Sequence, residues 1–181
     1  MYPTWVYVHP SLPACAISGL LGAKKDSISE VLRNFKGVEH RLEEVRTISG
    51  IRFVNDSKAT NVRSVWYALR SIPGPILLIL GGRDKGGDFT QLRGMVKEKL
   101  KSLILLGETK NKIDQALGDV VNSTVVDSLE EAVKKAYKMA SGGDCVLLSP
   151  GCSSFDMFEN YEHRGRVFKS VVKKLGDSEE R

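Results

Sequence analysis

Residues 75–82 read Pro75-Ile76-Leu77-Leu78-Ile79-Leu80-Gly81-Gly82, and this run sets the fold class. Its five consecutive apolar residues do not alternate with polar ones, which is the pattern of a strand buried on both faces. A proline before the run and two glycines after it mark where the strand starts and stops. Because such a strand belongs to a sheet with helices above and below it, the run predicts an α/β protein.

Helix and strand patterns alternate on both sides of this run. Apolar residues at helical spacing predict helices over residues 61–71, 89–101, 110–117, 128–140 and 155–175. Short apolar runs predict strands over residues 103–106, 124–126 and 145–148, and a hairpin that pairs 42–48 with 51–54. Strands that recur at intervals of roughly 20–30 residues, with helices between them, predict a Rossmann-like doubly wound, mostly parallel sheet with helices on both faces.

The first 36 residues differ from the rest and predict a short helical segment before the sheet. Three prolines among residues 1–13 predict an irregular or edge segment there. A short apolar helix is expected over residues 14–21, ended by Gly22. A second helix is expected to be capped by Asp26 or Ser27. Its apolar face consists of Ile28, Val31, Leu32 and Phe35.

The composition is that of a globular protein and excludes several other classes. The 181 residues are 41% hydrophobic and 27% charged, which argues against a disordered, collagen-like or coiled-coil chain. No apolar run approaches the ~18–20 residues that span a bilayer, and the first residues lack the basic start and apolar core of a signal peptide. We therefore predict no membrane partner.

The charged and sulfur-containing residues narrow the candidate partners. Lys and Arg number 27 against 22 Asp and Glu, and this net charge of +5 indicates mainly solvated surface, with an anionic ligand as the alternative. No basic run is interleaved with aromatic residues, so no nucleic-acid partner is predicted. Cys15, Cys145 and Cys152 are an odd number without metal-ligand spacing. They predict neither a zinc site nor a disulfide framework, and they favour a cytoplasmic location.

Parallel sheets bind ligands at the carboxyl ends of their strands, and polar turns are expected there. One such turn reads Asn55-Asp56-Ser57-Lys58-Ala59-Thr60-Asn61. Asp56 suits two ribose hydroxyls or a metal-bound water, and Lys58 suits a phosphate or a carboxylate. Thr60 or Asn61 would cap the next helix, whose free amides favour an anion. The alternative is an ordinary capped turn with two exposed charges.

Two further polar turns lie later in the chain. The glycines of Gly81-Gly82-Arg83-Asp84-Lys85-Gly86-Gly87 would let the backbone approach a ligand closely while Lys85 adds charge, although a flexible loop is the alternative. The spacing is not that of a P-loop. In the last turn, the hydroxyls of Ser153 and Ser154 at a predicted helix start would cradle a carboxylate. No nucleophile paired with His163 is predicted, because the chain has no G-x-S-x-G motif.

Four motifs occur in the order typical of the Mur ligase family, and the chain resembles its D-glutamate-adding member. They are Gly37-Val38-Glu39-His40-Arg41, Asn55-Asp56-Ser57-Lys58-Ala59-Thr60-Asn61, Leu80-Gly81-Gly82-Arg83-Asp84-Lys85 and Leu148-Ser149-Pro150-Gly151-Cys152-Ser153-Ser154-Phe155-Asp156. Within the family, the Asp-Ser-Lys-Ala-Thr-Asn turn is discriminating. The resemblance implies that residues 37–181 are the C-terminal domain and that residues 1–36 are the final helices of the central domain.

The resemblance also implies a function. Such a ligase joins D-glutamate to UDP-N-acetylmuramoyl-L-alanine in peptidoglycan precursor synthesis, using ATP and Mg²⁺ and an acyl phosphate. Arg41 and Asp56 would then contact ATP, with Asp56 on the ribose. The residues implied to hold D-glutamate are Lys58, Thr60, Lys85, Ser154, Phe155 and Tyr161.

Departures from the family pattern limit what this chain is expected to do alone. The family's two asparagines after a histidine, used near the adenine, are replaced here by His9-Pro10 and Pro13. The phosphate loop, the metal-binding residues and the modified lysine of the central domain have no counterpart. We therefore expect no catalytic residue, no metal ligand and no tightly bound cofactor in this chain. The alternatives are a non-catalytic Rossmann-like binding module and a small nucleotide-binding regulator, although the glycine fingerprint of the latter is missing.

Overall fold

A computed structural model describes the backbone of residues 5–35 and 37–176, with side chains from residue 12 onward. The chain divides into two compact units, residues 1–39 and 40–181. Within the described ranges, no helix is both long enough and apolar enough to cross a membrane.

The first unit contains two helices, α1 (Trp5–Leu20) and α2 (Lys25–Asn34). The prediction of an irregular start is wrong, because α1 continues through Pro10 and Pro13. Each proline removes one hydrogen bond from the helix, and the remaining bonds of a 16-residue helix are enough to maintain it. Gly22 follows the end of α1 with a left-handed φ of 85°, as expected of a glycine that ends a helix.

The predicted cap of α2 is not observed. The helix begins at Lys25, so Asp26 and Ser27 already lie in its first turn and lack the extended backbone of a capping residue. No residue of α2 is buried within the described chain, and its apolar face is exposed at Val31 and Leu32. The side chains of His9 and Pro10, which stand where the family pattern has a histidine and its first asparagine, lie outside the described residues.

The second unit is an α/β fold on one six-stranded sheet with strand order β1-β2-β6-β3-β4-β5. β1 pairs antiparallel with β2, and all other neighbours are parallel, which confirms the predicted mostly parallel sheet. The strands are β1 (Glu43–Ile48), β2 (Ile51–Asn55), β3 (Ile76–Gly81), β4 (Leu100–Leu106), β5 (Ser123–Val125) and β6 (Cys145–Leu148). The helices are α3 (Val62–Ser71), α4 (Arg93–Lys99), α5 (Lys110–Leu117), α6 (Leu129–Met139) and α7 (Tyr161–Lys174).

The direction in which the chain crosses the sheet reverses before β6. From β2 to β5 the chain advances one way, with α3, α4 and α5 as the connections, and it then returns through α6 to β6, which inserts between β2 and β3. Because parallel crossovers are right-handed, helices of the two directions lie on opposite faces. In doubly wound sheets, ligands bind in a crevice at such a reversal point, which here lies at the carboxyl ends of β6 and its two neighbours and is called the crevice below.

Both faces of the sheet are buried. Phe53, Leu77 and Val146 lie next to one another in register and share a core cluster with residues of α6 and α7, among them Phe168. The next position along each strand points to the other face. There α3, α4 and α5 bury their own apolar residues. A fully buried side chain of this size contributes about 1.5–3 kcal/mol, so β3 stabilises both halves of the core.

Two helix boundaries differ from the prediction. The helix expected over residues 89–101 is a 3₁₀ turn followed by the shorter α4, and β4 already begins at Leu100. The closing helix starts at Tyr161 and not at residue 155. The cause is a cap at Asn160, whose Oδ1 accepts a 2.7 Å hydrogen bond from the amide of His163.

Gly81 and Gly82 allow neighbouring chain segments to come close to the end of β3. Both have left-handed φ angles, of 130° and 139°. A Cβ atom on Gly81 would overlap the carbonyl oxygen of Leu106, and one on Gly82 would overlap that of Ser153. The sequence suggested that these glycines admit a ligand to the backbone. The structure shows that the backbone of β4 and the turn after β6 occupy that space instead.

We expect Gly81→Ala to lower the free energy of unfolding by at least about 3 kcal/mol, because the new methyl group adds a steric overlap to an unfavourable φ. Gly94→Ala is the control, since its Cβ meets nothing within 4 Å in α4 and should stabilise the helix by up to about 1 kcal/mol. Urea unfolding followed by circular dichroism measures both variants. Equal stability of the two variants would contradict the close approach at Gly81.

Candidate functional site

Backbone hydrogen bonds hold the three polar turns together at the crevice. The amide of Gly151 donates to the carbonyl of Ala59 at 2.8 Å, which joins the turn after β6 to the turn after β2. Arg83 and Ser153 exchange two backbone hydrogen bonds of 2.9 and 3.1 Å, which join the turn after β6 to the turn after β3. The turn after β6 is therefore the centre of the site.

Asp56 is buried directly after β2, with 5% of its surface exposed. Its Oδ2 accepts a hydrogen bond from the hydroxyl of Ser149 at 2.8 Å, and its Oδ1 accepts one from the amide of Leu42 at 3.2 Å. Burial raises the pKa of this carboxyl to about 7, although both hydrogen bonds and the charge of Arg41 act to lower it. The carboxyl group that is predicted to contact ribose therefore already accepts two hydrogen bonds from the protein.

Arg41 and His40, which precede β1, differ in exposure. The side chain of Arg41 is exposed, and its charge acts on the carboxyl of Asp56. His40 is buried with its Nδ1 atom 2.9 Å from the side-chain nitrogen of Asn55. The amide of Ser57 donates to the oxygen of the same Asn55 side chain at 3.1 Å, so the nitrogen of Asn55 faces the histidine. This buried support was not predicted from the sequence.

Lys58 and Tyr161 form a pair across the crevice. The ammonium group of Lys58 donates to the Tyr161 hydroxyl at 3.3 Å and lies 5.3 Å from the centre of its ring. Both side chains are half-buried. The amide of Lys58 also donates to the carbonyl of His40 at 3.0 Å, which fixes the backbone of the turn. The structure therefore brings together two of the predicted D-glutamate residues.

The other four residues predicted to hold D-glutamate lie on the three turns and differ in exposure. Ser154 is buried, Thr60 is half-buried, and Phe155 is 61% exposed. Lys85 is exposed and makes no hydrogen bond or ion pair with the rest of the described chain. No helix begins at Ser154, because α7 starts at Tyr161. The helical amides expected beside Ser154 are therefore not part of the site.

Arg164 on α7 is a buried residue of the site that the sequence patterns did not identify. It is buried, with 2% exposure, and donates hydrogen bonds to Ser57 on one turn and to the carbonyls of Cys152 and Ser153 on another. Burial lowers the pKa of its guanidinium to about 10. The sequence does contain one indication of this burial. Arg164 precedes the apolar Phe168 and Val172 at helical spacing, which places all three on the buried face of α7.

Cys152 is not placed as a nucleophile. Its Sγ atom lies 3.3 Å from the hydroxyl of Thr109, and burial raises the pKa of the thiol. A protonated, buried thiol is a poor nucleophile. His163 instead packs its ring edge-on against Phe158, with ring centres 5.7 Å apart. Neither residue is therefore arranged for nucleophilic catalysis.

A doubly wound sheet with polar turns at its reversal point is typical of Rossmann-like domains, a class that binds ligands at that point. Its structure is similar to UDP-N-acetylmuramate-alanine ligase MurC from Thermotoga maritima, with a TM-score of 0.71 and 16% identity over 95% of this chain and 39% of that chain. It is also similar to a pseudomurein peptide ligase type C from Methanothermus fervidus, with a TM-score of 0.69 and 20% identity over 93% of this chain and 36% of that chain. At these identities the likeness shows a shared fold.

The sequence comparisons identify the family. The model of the Mur ligase, glutamate ligase domain matches residues 40–152, and the chain therefore belongs to the Mur ligase family. Proteins named UDP-N-acetylmuramoylalanine--D-glutamate ligase are 46% identical over 169 residues in Salinibacter ruber and 49% identical over 164 residues in Pelodictyon phaeoclathratiforme. The matches cover 93% and 91% of this chain but span only 37% and 35% of those relatives.

We expect Asp56→Asn to stabilise the chain increasingly as the pH rises from about 4 to about 7. In that window the buried carboxyl, with its raised pKa, stays protonated in the folded state while it ionises in the unfolded state. The folded state therefore binds more protons, and the wild type loses stability with increasing pH. The difference between variant and wild type should reach at most about 4 kcal/mol above pH 7.

Urea unfolding of both proteins at a series of pH values measures this difference, and other titrating groups cancel in the comparison. A difference that does not depend on pH would show that the carboxyl titrates alike in the folded and unfolded states.

Proposed function

We propose that this chain is the D-glutamate-binding domain of an ATP-dependent ligase that joins D-glutamate to UDP-N-acetylmuramoyl-L-alanine. The observation that carries the proposal is the pair of Lys58 and Tyr161, which places an ammonium group, half-buried, at the crevice between β2 and β6. The relatives that bear this ligase's name match 91–93% of the chain and support the same conclusion.

D-glutamate carries two carboxylates and one amine, and the turns offer complementary groups. Lys58 would pair with one carboxylate, and the exposed Lys85 would pair with the other. Hydroxyl groups of Thr60 and Ser154 would donate further hydrogen bonds to the carboxylates. The exposed ring of Phe155 would cover the methylene groups, together with Tyr161. The amine would remain free to react.

ATP, when bound, supplies the phosphoryl group that activates the carboxylate of the UDP-linked substrate as an acyl phosphate. Arg41 fits a role in binding ATP, because its side chain is exposed and its charge acts on the carboxyl of Asp56 after β2. The carboxyl of Asp56 fits a ribose contact through the remaining lone pairs of its two oxygens, each of which accepts one described bond. We assign no magnesium ligand to this chain.

The proposed contribution of this domain to catalysis is positioning. Holding an amine at a fixed distance from an activated carboxyl replaces a collision between two molecules by a local reaction, which lowers the entropic part of the barrier. Groups that neutralise the phosphates and hold Mg²⁺ are assigned to the part of such ligases that this chain does not span. Because ATP and nucleotide-linked substrates are cytoplasmic compounds, the proposed location of the enzyme is the cytoplasm. The proposed partners include neither a nucleic acid nor a membrane.

A chimera tests this proposal. In it, the chain replaces the matching part of the Salinibacter ruber ligase, and phosphate release is measured with ATP, UDP-N-acetylmuramoyl-L-alanine and D-glutamate. We expect release that requires D-glutamate. Lys58→Ala should raise the KM for D-glutamate about 10- to 100-fold, because a hydrogen bond between charged groups is lost.

Lys97→Ala is the matched control, since this lysine is exposed on α4, away from the turns, and its KM should equal that of the unmodified chimera. If Lys58→Ala behaved like this control, the assignment of Lys58 would be wrong. A folded chimera without D-glutamate-dependent release would favour the non-catalytic binding module.

A further inference from the structure

The guanidinium group of Arg164 is buried without a carboxylate partner among the described residues. It makes five hydrogen bonds, all to neutral acceptors. Removing a cation from water is unfavourable unless its partners compensate, and neutral oxygens compensate less than a carboxylate does. These bonds indicate that the arginine serves to hold the bonded segments in position.

The five bonds join two turns of the site. Nε donates to the Ser57 hydroxyl at 3.0 Å and Nη2 donates to the Ser57 carbonyl at 2.9 Å. The same Nη2 donates to the carbonyl of Cys152 at 3.3 Å, while Nη1 donates to the carbonyls of Cys152 and Ser153 at 3.3 and 3.4 Å. One rigid, planar group thus sets the distance between the turn after β2 and the turn after β6.

Two of the three bonded residues, Ser57 and Ser153, are each next to a residue proposed to bind D-glutamate. Ser57 precedes Lys58, and Ser153 precedes Ser154. The hydroxyl of Ser57, which accepts from Arg164, also donates to the carbonyl of Tyr161 at 2.8 Å. The arginine is therefore connected to both members of the Lys58–Tyr161 pair without contacting the crevice itself.

The helix that carries Arg164 is held close to the same turns. The next residue is Gly165, and a Cβ atom there would overlap the ring of buried His40. The carbonyl of His40 in turn accepts from the amide of Lys58 at 3.0 Å. The position of α7, and with it the guanidinium group, is thus set by Ser57 in the turn after β2 and by His40, whose carbonyl is bonded to that turn.

We propose that Arg164 is a positioning residue that fixes Lys58 and Ser154 at the separation needed to bind D-glutamate. The identity of the ligand in this inference rests on the proposed function. The connection that Arg164 makes between the two turns can be tested without any ligand. The fork geometry is essential, because the single ammonium of a lysine cannot reach the acceptors of both turns at once.

The first experiment uses the chimera with Arg164→Ala. We expect the KM for D-glutamate to rise at least about 10-fold while kcat at saturating D-glutamate changes less than about 3-fold, since the reacting groups remain and only their placement is loosened. Millimolar methylguanidinium should restore the KM by occupying the space of the lost side chain. Arg164→Lys should remain defective.

The matched control is Arg166→Ala, which removes an exposed arginine from the same helix and should leave KM unchanged. An unchanged KM in Arg164→Ala would overturn the proposal, as would full activity of Arg164→Lys, which would show that charge alone is sufficient.

The second experiment needs no ligand and uses the 181-residue chain. Amide hydrogen exchange is measured at Lys58 and Ser153, whose amides donate to the carbonyls of His40 and Arg83. Arg164→Ala should accelerate exchange at both at least about 10-fold and leave the amides of β4 unchanged, because the opening is local. The two hypotheses can fail separately. If the amides of Arg164→Ala exchanged as slowly as those of Arg166→Ala, the positioning role would be overturned, even if the D-glutamate assignment stands. If exchange accelerated locally but the chimera were inactive, the result would support the link that Arg164 makes between the two turns and reject D-glutamate as the ligand.

Discussion

The insertion of β6 between β2 and β3 is the constraint on which the rest of this structure depends. The backbone of β6 pairs with β2 on one side and with β3 on the other, so the carboxyl ends of the three strands are held in a fixed register. The turn that follows is bonded to the turns after both neighbours. Because its loop leaves toward the opposite face from theirs, a crevice forms where these turns meet. Without this insertion the turns after β2 and β3 would not be joined through the turn after β6.

The site combines two buried ionisable groups of opposite charge that do not pair with each other. Asp56 is bonded by a hydroxyl and an amide, and Arg164 by carbonyls and a hydroxyl. Burial favours the neutral form of both groups, because it raises the pKa of Asp56 to about 7 and lowers the pKa of Arg164 to about 10. Neutral partners satisfy such groups incompletely, but their bonds join separate segments. Asp56 links Leu42, just before β1, to Ser149, just after β6, and Arg164 links two turns to α7.

The chain belongs to the Mur ligase family by its sequence and shares its fold with more distant ligases. The structural likeness to ligases at 16–20% identity supports the architecture. The proposed choice of substrate would rest on a few side chains, chiefly Lys58, which contacts Tyr161. A fold of this kind hosts many functions, and specificity belongs to the residues placed on it.

The sequence by itself determined the alternation of strands and helices, the strands at residues 76–80 and 145–148, and the turns that carry Asp56, Lys58 and Lys85. These follow from local apolar patterns, glycine and capping residues such as Asn61, whose side chain accepts from the amide of Ser64 at 2.9 Å. Only the tertiary structure decided that Asp56 is buried and that Arg164 joins two turns. The physical reason is that burial and hydrogen bonds between residues about 100 positions apart depend on strand order, which local patterns do not encode.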